Sequence, residues 1–166
     1  MDRVLREERE GSLSSSSQIQ KPRASTQSSS TFTFSFLKPE ALRQRVAGDV
    51  ISRIERKGFT IRELRLHRMT RAEAEKLYSV HKGKPFFEEL VNHVTSGPVV
   101  LMIIDGPNPV EAMRKLVGAT NPLMAEPGTI RGDLSTSITA NVVHASDSPE
   151  NASREASIFF SRQALQ

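Results

Sequence analysis

Between Asn141 and Glu150 the chain reads NVVHASDSPE, a run that brings one imidazole to the junction of a strand and a helix. Val142 and Val143 are β-branched and favour extended backbone, whereas Ser148 is a good helix cap, Pro149 suits the first helical position and Glu150 complements the positive helix start. His144 therefore sits at the mouth of a strand-to-helix turn. A neutral imidazole nitrogen is nucleophilic near pH 7, and a phosphohistidine is reactive enough to pass its phosphoryl group on. Taken alone, a histidine in an apolar strand is more often a hydrogen-bonded structural residue than a nucleophile. Glu155 falls seven residues after Ser148, about two turns into the helix and on the face of the cap. A carboxylate there can orient the imidazole and select its tautomer, with the Ser146 hydroxyl as the bridge; without that context it reads as a helix-surface glutamate.

Other residues suit the charge of such chemistry. Phosphoryl transfer asks a protein chiefly to position its reactants and to neutralise phosphate oxygens. Arg114, Thr120 and Arg131 bracket a long irregular segment and converge if it folds back; guanidinium groups match phosphate with forked donors, and a threonine hydroxyl adds a neutral contact. Lys38 leaves the end of a strand beside Pro39, well placed to aim an ammonium into a cleft. Tyr78, the single tyrosine, is a core residue with its hydroxyl at the rim or a site residue. Phe86 and Phe87 are adjacent on a helix, about 100° apart, so one packs inward while the other is partly exposed. His67, His81 and His93 show no metal-ligand spacing and are read as surface or structural residues.

The elements that must position these groups follow from periodicity. Phe32, Phe34 and Phe36 alternate with hydroxyl residues as in a half-buried strand ended by Lys38-Pro39. Val46, Val50, Ile51 and Ile54 have helical spacing, closed by Lys57-Gly58. A second strand runs from Phe59 to about Arg68, and Thr70 to Glu73 is a capping box opening a helix that carries Leu77 and Tyr78. Pro85 opens another helix through Val94. The continuous apolar run Val99 to Ile104 is a strand buried on both faces at the centre of the sheet. Asn108-Pro109 caps a helix to Val117, ended by Gly118. From Ala119 to Ala140 no periodicity is visible, which implies a loop of about twenty residues, a length that usually signals function. The His144 strand and a helix from Pro149 to about Phe160 complete the order βαβααβαβα. This order gives an α+β sandwich of the ferredoxin-like type, a four-stranded antiparallel sheet with surrounding helices, largely on one face.

Composition bounds the rest. The 166 residues suit one domain, and 37% hydrophobic residues suffice for its core. Residues 1–30, dominated by Ser12, Ser14 to Ser17, Ser25 and Ser28 to Ser30, are expected to form a disordered Ser-rich extension, with residues 31–166 as the folded domain. Arg3, Arg6, Arg9, Lys21 and Arg23 would suit an organelle-targeting peptide, but Asp2, Glu7, Glu8 and Glu10 do not. Without cysteine the chain offers no disulfide or thiolate chemistry, and no apolar run approaches the roughly 20 residues that cross a bilayer, so a cytoplasmic protein without a membrane partner is expected. The net charge of +4 suits anionic ligands, yet so modest an excess predicts no specific nucleic-acid binding. No GxxxxGK[ST] segment is present to cradle phosphates.

Together with Pro127-Gly-Thr-Ile-Arg131-Gly-Asp133, the His144 segment resembles the signature of the nucleoside diphosphate kinases, whose phosphate-accepting histidine sits in N-[IV]-[IV]-H-[GA]-S-D-S; the likeness runs from about Thr31 to Phe160. The resemblance implies transfer of the terminal phosphate of a nucleoside triphosphate, typically ATP, to a nucleoside diphosphate by a ping-pong reaction through His144, supported by Glu155 and Ser146. It also implies that Lys38 and Tyr78 approach the transferring phosphate, that Arg114, Thr120 and Arg131 bind nucleotide phosphates, and that Asn141 with Lys38 contacts the sugar hydroxyl. The nucleobase would lie between Phe86 and Ile138 with Leu90 nearby, held by stacking that tolerates every base. Mg2+ would arrive on the substrate phosphates rather than in a protein-built metal site. Relatives are hexamers or tetramers, which implies a homo-oligomer, a hexamer before a tetramer or dimer. Thr139-Ala140 stands where a glycine is common, and only Ser161 to Gln166 follow the last helix where many relatives carry a longer segment. A rival reading is a catalytically weak family member serving as an interaction or nucleic-acid-binding protein.

Overall fold

A computed structural model of the chain describes residues 32–166, so the expected disordered extension at residues 1–30 lies outside the described residues. Strands β1 (Phe32–Leu37), β2 (Thr60–His67), β3 (Val99–Asp105) and β4 (Val143–Ala145) form one sheet in the order β2-β3-β1-β4. Every pairing is antiparallel. The expected α+β, ferredoxin-like architecture is therefore present, with β3 internal and Val99 to Ile104 all buried.

The helices differ from expectation in their distribution. Phe34, Phe36, Leu101 and Ile103 form one core with residues of α3 (Arg71–Leu77), α4 (Phe87–Val94) and α7 (Pro149–Phe159). Val100, Met102 and Ile104, which alternate with that set, pack on the opposite face against α2 (Ala47–Lys57), α5 (Pro109–Val117) and α6 (Ile130–Leu134). Helices thus cover both faces of the sheet rather than largely one, as a strand apolar on both sides requires.

Local chemistry accounts for the boundaries. Pro39 at the first position starts a five-residue helix, α1 (Pro39–Arg43), too short to show a period in sequence. α2 ends on Gly58 at φ 104, the left-handed cap that glycine adopts without steric cost. Thr70 and Glu73 make the reciprocal capping box, but α3 stops at Leu77 and leaves Tyr78 at its C-cap. Asn108 precedes α5 in the left-handed region, φ 44, with no side-chain cap bond.

The segment expected to be an unbroken loop contains a 3-10 turn, Pro122–Met124, and α6, capped by the Thr129 hydroxyl accepting from the Gly132 amide. Gly132 fits there because a Cβ would lie 2.1 Å from the Glu126 carbonyl oxygen. After α7, a 3-10 turn at Arg162–Leu165 folds back: Arg62 donates to the Ala164 carbonyl at 3.0 Å, and Ala164 and Leu165 pack on the first core.

Candidate active site

His144 is the middle residue of β4 and stands directly opposite Phe36 in β1. Cross-strand partners share a face, so its ring stacks on Phe36 with centroids 4.9 Å apart and faces the side of the sheet that carries α7. Ser148 caps α7 by accepting from the Asn151 amide, which fixes the phase that turns Glu155 inward. The result is a contact of 2.6 Å between His144 Nε2 and Glu155 Oε1. A carboxylate can only accept, so Nε2 carries the proton and Nδ1 keeps the ring's lone pair. Ser146 does not bridge the two, as the sequence suggested; its hydroxyl donates to the same Glu155 oxygen at 2.8 Å from the buried side. The bridge is unnecessary because β4 and α7 already approach to direct hydrogen-bond distance.

Between His144 and Asn141 the backbone makes a tight γ-turn. The Val143 amide donates to the Asn141 carbonyl at 2.8 Å, and Val142 between them takes φ 75. A β-branched residue at positive φ costs on the order of 1–3 kcal/mol and persists only where its surroundings over-determine it. Those surroundings are visible. The Lys38 amide donates to the Val142 carbonyl at 2.8 Å, and the Glu40 carboxylate accepts from the Val142 amide at 2.9 Å. Arg131, buried on α6, donates to the carbonyls of Asn141, Gly118 and Val143. Gly118 is required there: at φ 89 an added Cβ would lie 2.5 Å from the Thr129 hydroxyl.

A cleft of about 510 Å3 opens over this turn. The structure brings Lys38, Tyr78, Phe86, Leu90, Arg114, Thr120, Arg131, Ile138, Asn141, His144 and Glu155 to its lining, and leaves Ser146 buried behind Glu155. At one end the exposed rings and side chains of Phe86 and Ile138 project, while Phe87 packs in the core. The two walls meet across that end where the Thr139 hydroxyl donates to Glu89 at 3.1 Å. At the other end Arg114 donates to the Ala145 carbonyl at 3.3 Å. The Asn141 side chain donates to the Thr120 carbonyl at 3.0 Å, and its own Oδ1 is buried without a protein partner.

The electrostatics are those of a cationic, partly desolvated cleft. Burial pulls the Lys38 ammonium down to about 8, with the Glu40 carboxylate opposing and Arg131 reinforcing the shift. Burial, with Arg114 nearby, likewise lowers Arg131 to about 10. The Tyr78 phenol is raised by burial and by the fields of Glu155 and Glu40, which keeps it a donor. Burial alone would raise the Glu40 carboxyl, but bonds from His93 and the Val142 amide hold it below the usual range.

Several lining residues escaped the sequence reading: His81, Glu89, Thr139, Asp147, Asn151 and Arg154. Asp147 and Asn151 carry a findable signal, the i and i+4 positions around the Ser148 cap, and are joined at 2.6 Å. Glu89 and Arg154 reach the cleft through the packing of α4 and α7, while His81 and Thr139 come from the irregular segments that follow α3 and α6. His93 is a partner of buried Glu40, at 2.6 Å, and His67 of Glu73, at 3.0 Å. A second cavity of about 860 Å3, beyond Arg114, is lined by α5 and the start of α7 and includes no histidine. Among the described residues no three His, Cys, Asp or Glu side chains converge as a metal site.

The sequence matches the family described as nucleoside diphosphate kinase over residues 31–165. It is 53% identical over 127 residues to a nucleoside diphosphate kinase of Ignicoccus hospitalis, covering 76% of this chain and 86% of that protein. Against the nucleoside diphosphate kinase of Hyperthermus butylicus identity is 54% over 129 residues, covering 78% and 91% of the two chains. Among solved structures, the fold matches the apo nucleoside diphosphate kinase of Encephalitozoon cuniculi with a TM-score of 0.79 at 36% identity, covering 81% of this chain and 91% of the other. The Halobacterium salinarum nucleoside diphosphate kinase in complex with CDP matches with a TM-score of 0.77 at 36% identity, covering 80% and 89%.

Proposed function

The chain belongs to the nucleoside diphosphate kinase family, and from that premise we propose that His144 Nδ1 carries the phosphoryl group between two nucleotides in a ping-pong cycle. The observation that carries this reading is the bond between His144 Nε2 and Glu155, which leaves the other nitrogen as the lone-pair donor of a ring that lines the cleft. Its lone pair attacks the terminal phosphorus of a nucleoside triphosphate, typically ATP. The N–P bond forms, the bridging P–O bond breaks, and the diphosphate leaves with the electron pair. Glu155, held by Ser146, stabilises the imidazole cation that the attack creates. A second diphosphate then attacks the phosphohistidine, so the cycle consumes no net proton.

Lys38, Arg114 and Arg131 supply the positive charge and Thr120 a polar contact for the phosphates, with the Tyr78 phenol donating beside the reacting group. The unpartnered Asn141 Oδ1 suits a sugar hydroxyl, with Lys38 beside it. The base is read between Phe86 and Ile138, near Leu90, by contacts that every base can make, so broad base tolerance follows. Mg2+ belongs to the substrate in this scheme, neutralising the nucleotide phosphates it arrives on.

A homo-oligomer, a hexamer before a tetramer or dimer, is proposed for assembly, supported by exposed Leu64 and Leu66 on edge strand β2 and by exposed Leu123 and Met124. No described helix is long and apolar enough to cross a membrane, and the chain lacks cysteine, features that suit the cytoplasm. Initial rates measured with both nucleotides varied test the cycle: parallel reciprocal plots are expected, and intersecting lines would replace it with direct transfer in a ternary complex.

A further inference from the structure

Glu40 takes no part in the reaction as described, yet its carboxylate is tied to both walls beneath the cleft. It is 3% exposed and stands on α1, two residues after Lys38. One oxygen accepts from the Val142 amide at 2.9 Å, and the other faces His93 Nε2 on α4 at 2.6 Å. The amide it holds is the centre of the γ-turn at φ 75, whose flanking residues are Asn141 and Val143, the first residue of the strand that carries His144. Val142 also accepts from the Lys38 amide at 2.8 Å, so one side chain organises the backbone on which Lys38, Asn141 and His144 all depend.

We propose that Glu40 is a positioning residue for phosphoryl transfer: its carboxylate clamps the Val142 turn and supplies the negative charge that offsets the buried Lys38 ammonium, while His93 holds it in place. The inference rests on the phosphotransfer reading of the cleft. A glutamate in the first turn of a surface helix would ordinarily face water. Here a five-residue helix turns it inward, and a buried carboxylate with a single function in packing would not need to stand beside a buried lysine.

The charged neighbours make the second role measurable. Acting on Lys38 are Glu40 from α1 and Arg131 from α6, in opposite senses; together with burial, the largest influence, they leave the ammonium lowered to about 8. Arg114 from α5, the Tyr78 phenol after α3, His144 from β4 and Glu155 from α7 line the same cleft, and Glu89 from α4 is bonded to Thr139, whose carbonyl accepts from the Lys38 ammonium at 3.5 Å. Removing only the Glu40 charge leaves Arg131 unopposed.

The test is a Glu40→Gln variant, which keeps an acceptor for the Val142 amide and loses the charge. Expected are a nucleotide KM raised about tenfold and an alkaline limb of kcat/KM moved down by about one pH unit, with melting temperature followed in parallel. Where Glu40→Gln does not fold, Glu40→Asp keeps the charge but shortens the reach. It is expected to leave the limb in place and to lower kcat about tenfold by loosening the turn. Wild-type turnover with a Glu40→Gln profile superimposed on it, or an unaltered kcat in Glu40→Asp, would overturn the inference while leaving the phosphohistidine reading intact. A wild-type protein that transfers no phosphate would remove both.

Discussion

His144 Nε2 and Glu155 Oε1 lie 2.6 Å apart, and the Glu155 oxygen that faces the ring also accepts from Ser146. The carboxylate therefore has its orientation fixed from behind before it fixes the imidazole. A Glu155→Gln variant fills the same space but can present its amide N–H to the ring and favour the wrong tautomer. We expect kcat to fall about 100-fold with nucleotide KM changed less than threefold, measured by steady-state transfer from ATP to GDP. Ser146→Ala should fall by less, about tenfold, because the direct contact to the ring survives.

Lys38 sets a conflict between stability and function. Its ordinary pKa of 10.5 is lowered to about 8, chiefly by burial, a displacement worth about 3 kcal/mol against folding when the lysine is charged. Lys38→Met should raise the melting temperature at pH 7 and reduce kcat/KM at least 100-fold, since the replacement fills the volume without the charge. A lower melting temperature in thermal denaturation would contradict this.

The same group predicts opposite pH trends for activity and stability. Between pH 8 and 10.5 the folded lysine binds fewer protons than the unfolded one, so its burial cost is full below pH 8 and fades as pH rises toward 10.5. Activity moves the other way, because a neutral amine no longer attracts phosphate. The kcat/KM profile should decline above about pH 8, while Lys38→Met should lose its stability advantage over wild type across that window.

The two arginines of the cleft differ in burial, and their replacement should separate binding from folding. Arg131 is 7% exposed and donates to three backbone carbonyls around the γ-turn. Arg131→Ala should cost about 3 kcal/mol of stability together with activity. Exposed Arg114 donates a single hydrogen bond among the described residues, to the Ala145 carbonyl. Arg114→Ala should raise nucleotide KM while changing stability by less than about 0.5 kcal/mol in urea unfolding.

Much of this arrangement was legible in the sequence because it is local. The alternation of Phe32, Phe34 and Phe36, the Thr70 to Glu73 box and the Ser148-Pro149 helix start each specify their element within a few residues. His144 and Glu155 belong to one such unit, and their pairing follows from the phase of α7. What was not legible depends on contacts between distant segments. α1 and α6 are five residues each, below the length at which a period is visible, yet they carry Glu40 and Arg131. The left-handed Val142 has no local cue, since a valine-valine pair argues for plain strand; three distant residues, Lys38, Glu40 and Arg131, hold the turn instead. Helices on both faces follow from the buried run of β3, whose two-sided apolarity is visible in the sequence.

The central claim is tested most directly by incubating the protein with ATP and Mg2+ without an acceptor and measuring its intact mass. One acid-labile phosphoryl group is expected on the wild type, discharged by GDP with formation of an equal amount of GTP, and none on His144→Ala. No adduct on the wild type, or an equal adduct on His144→Ala, would contradict the role of that imidazole.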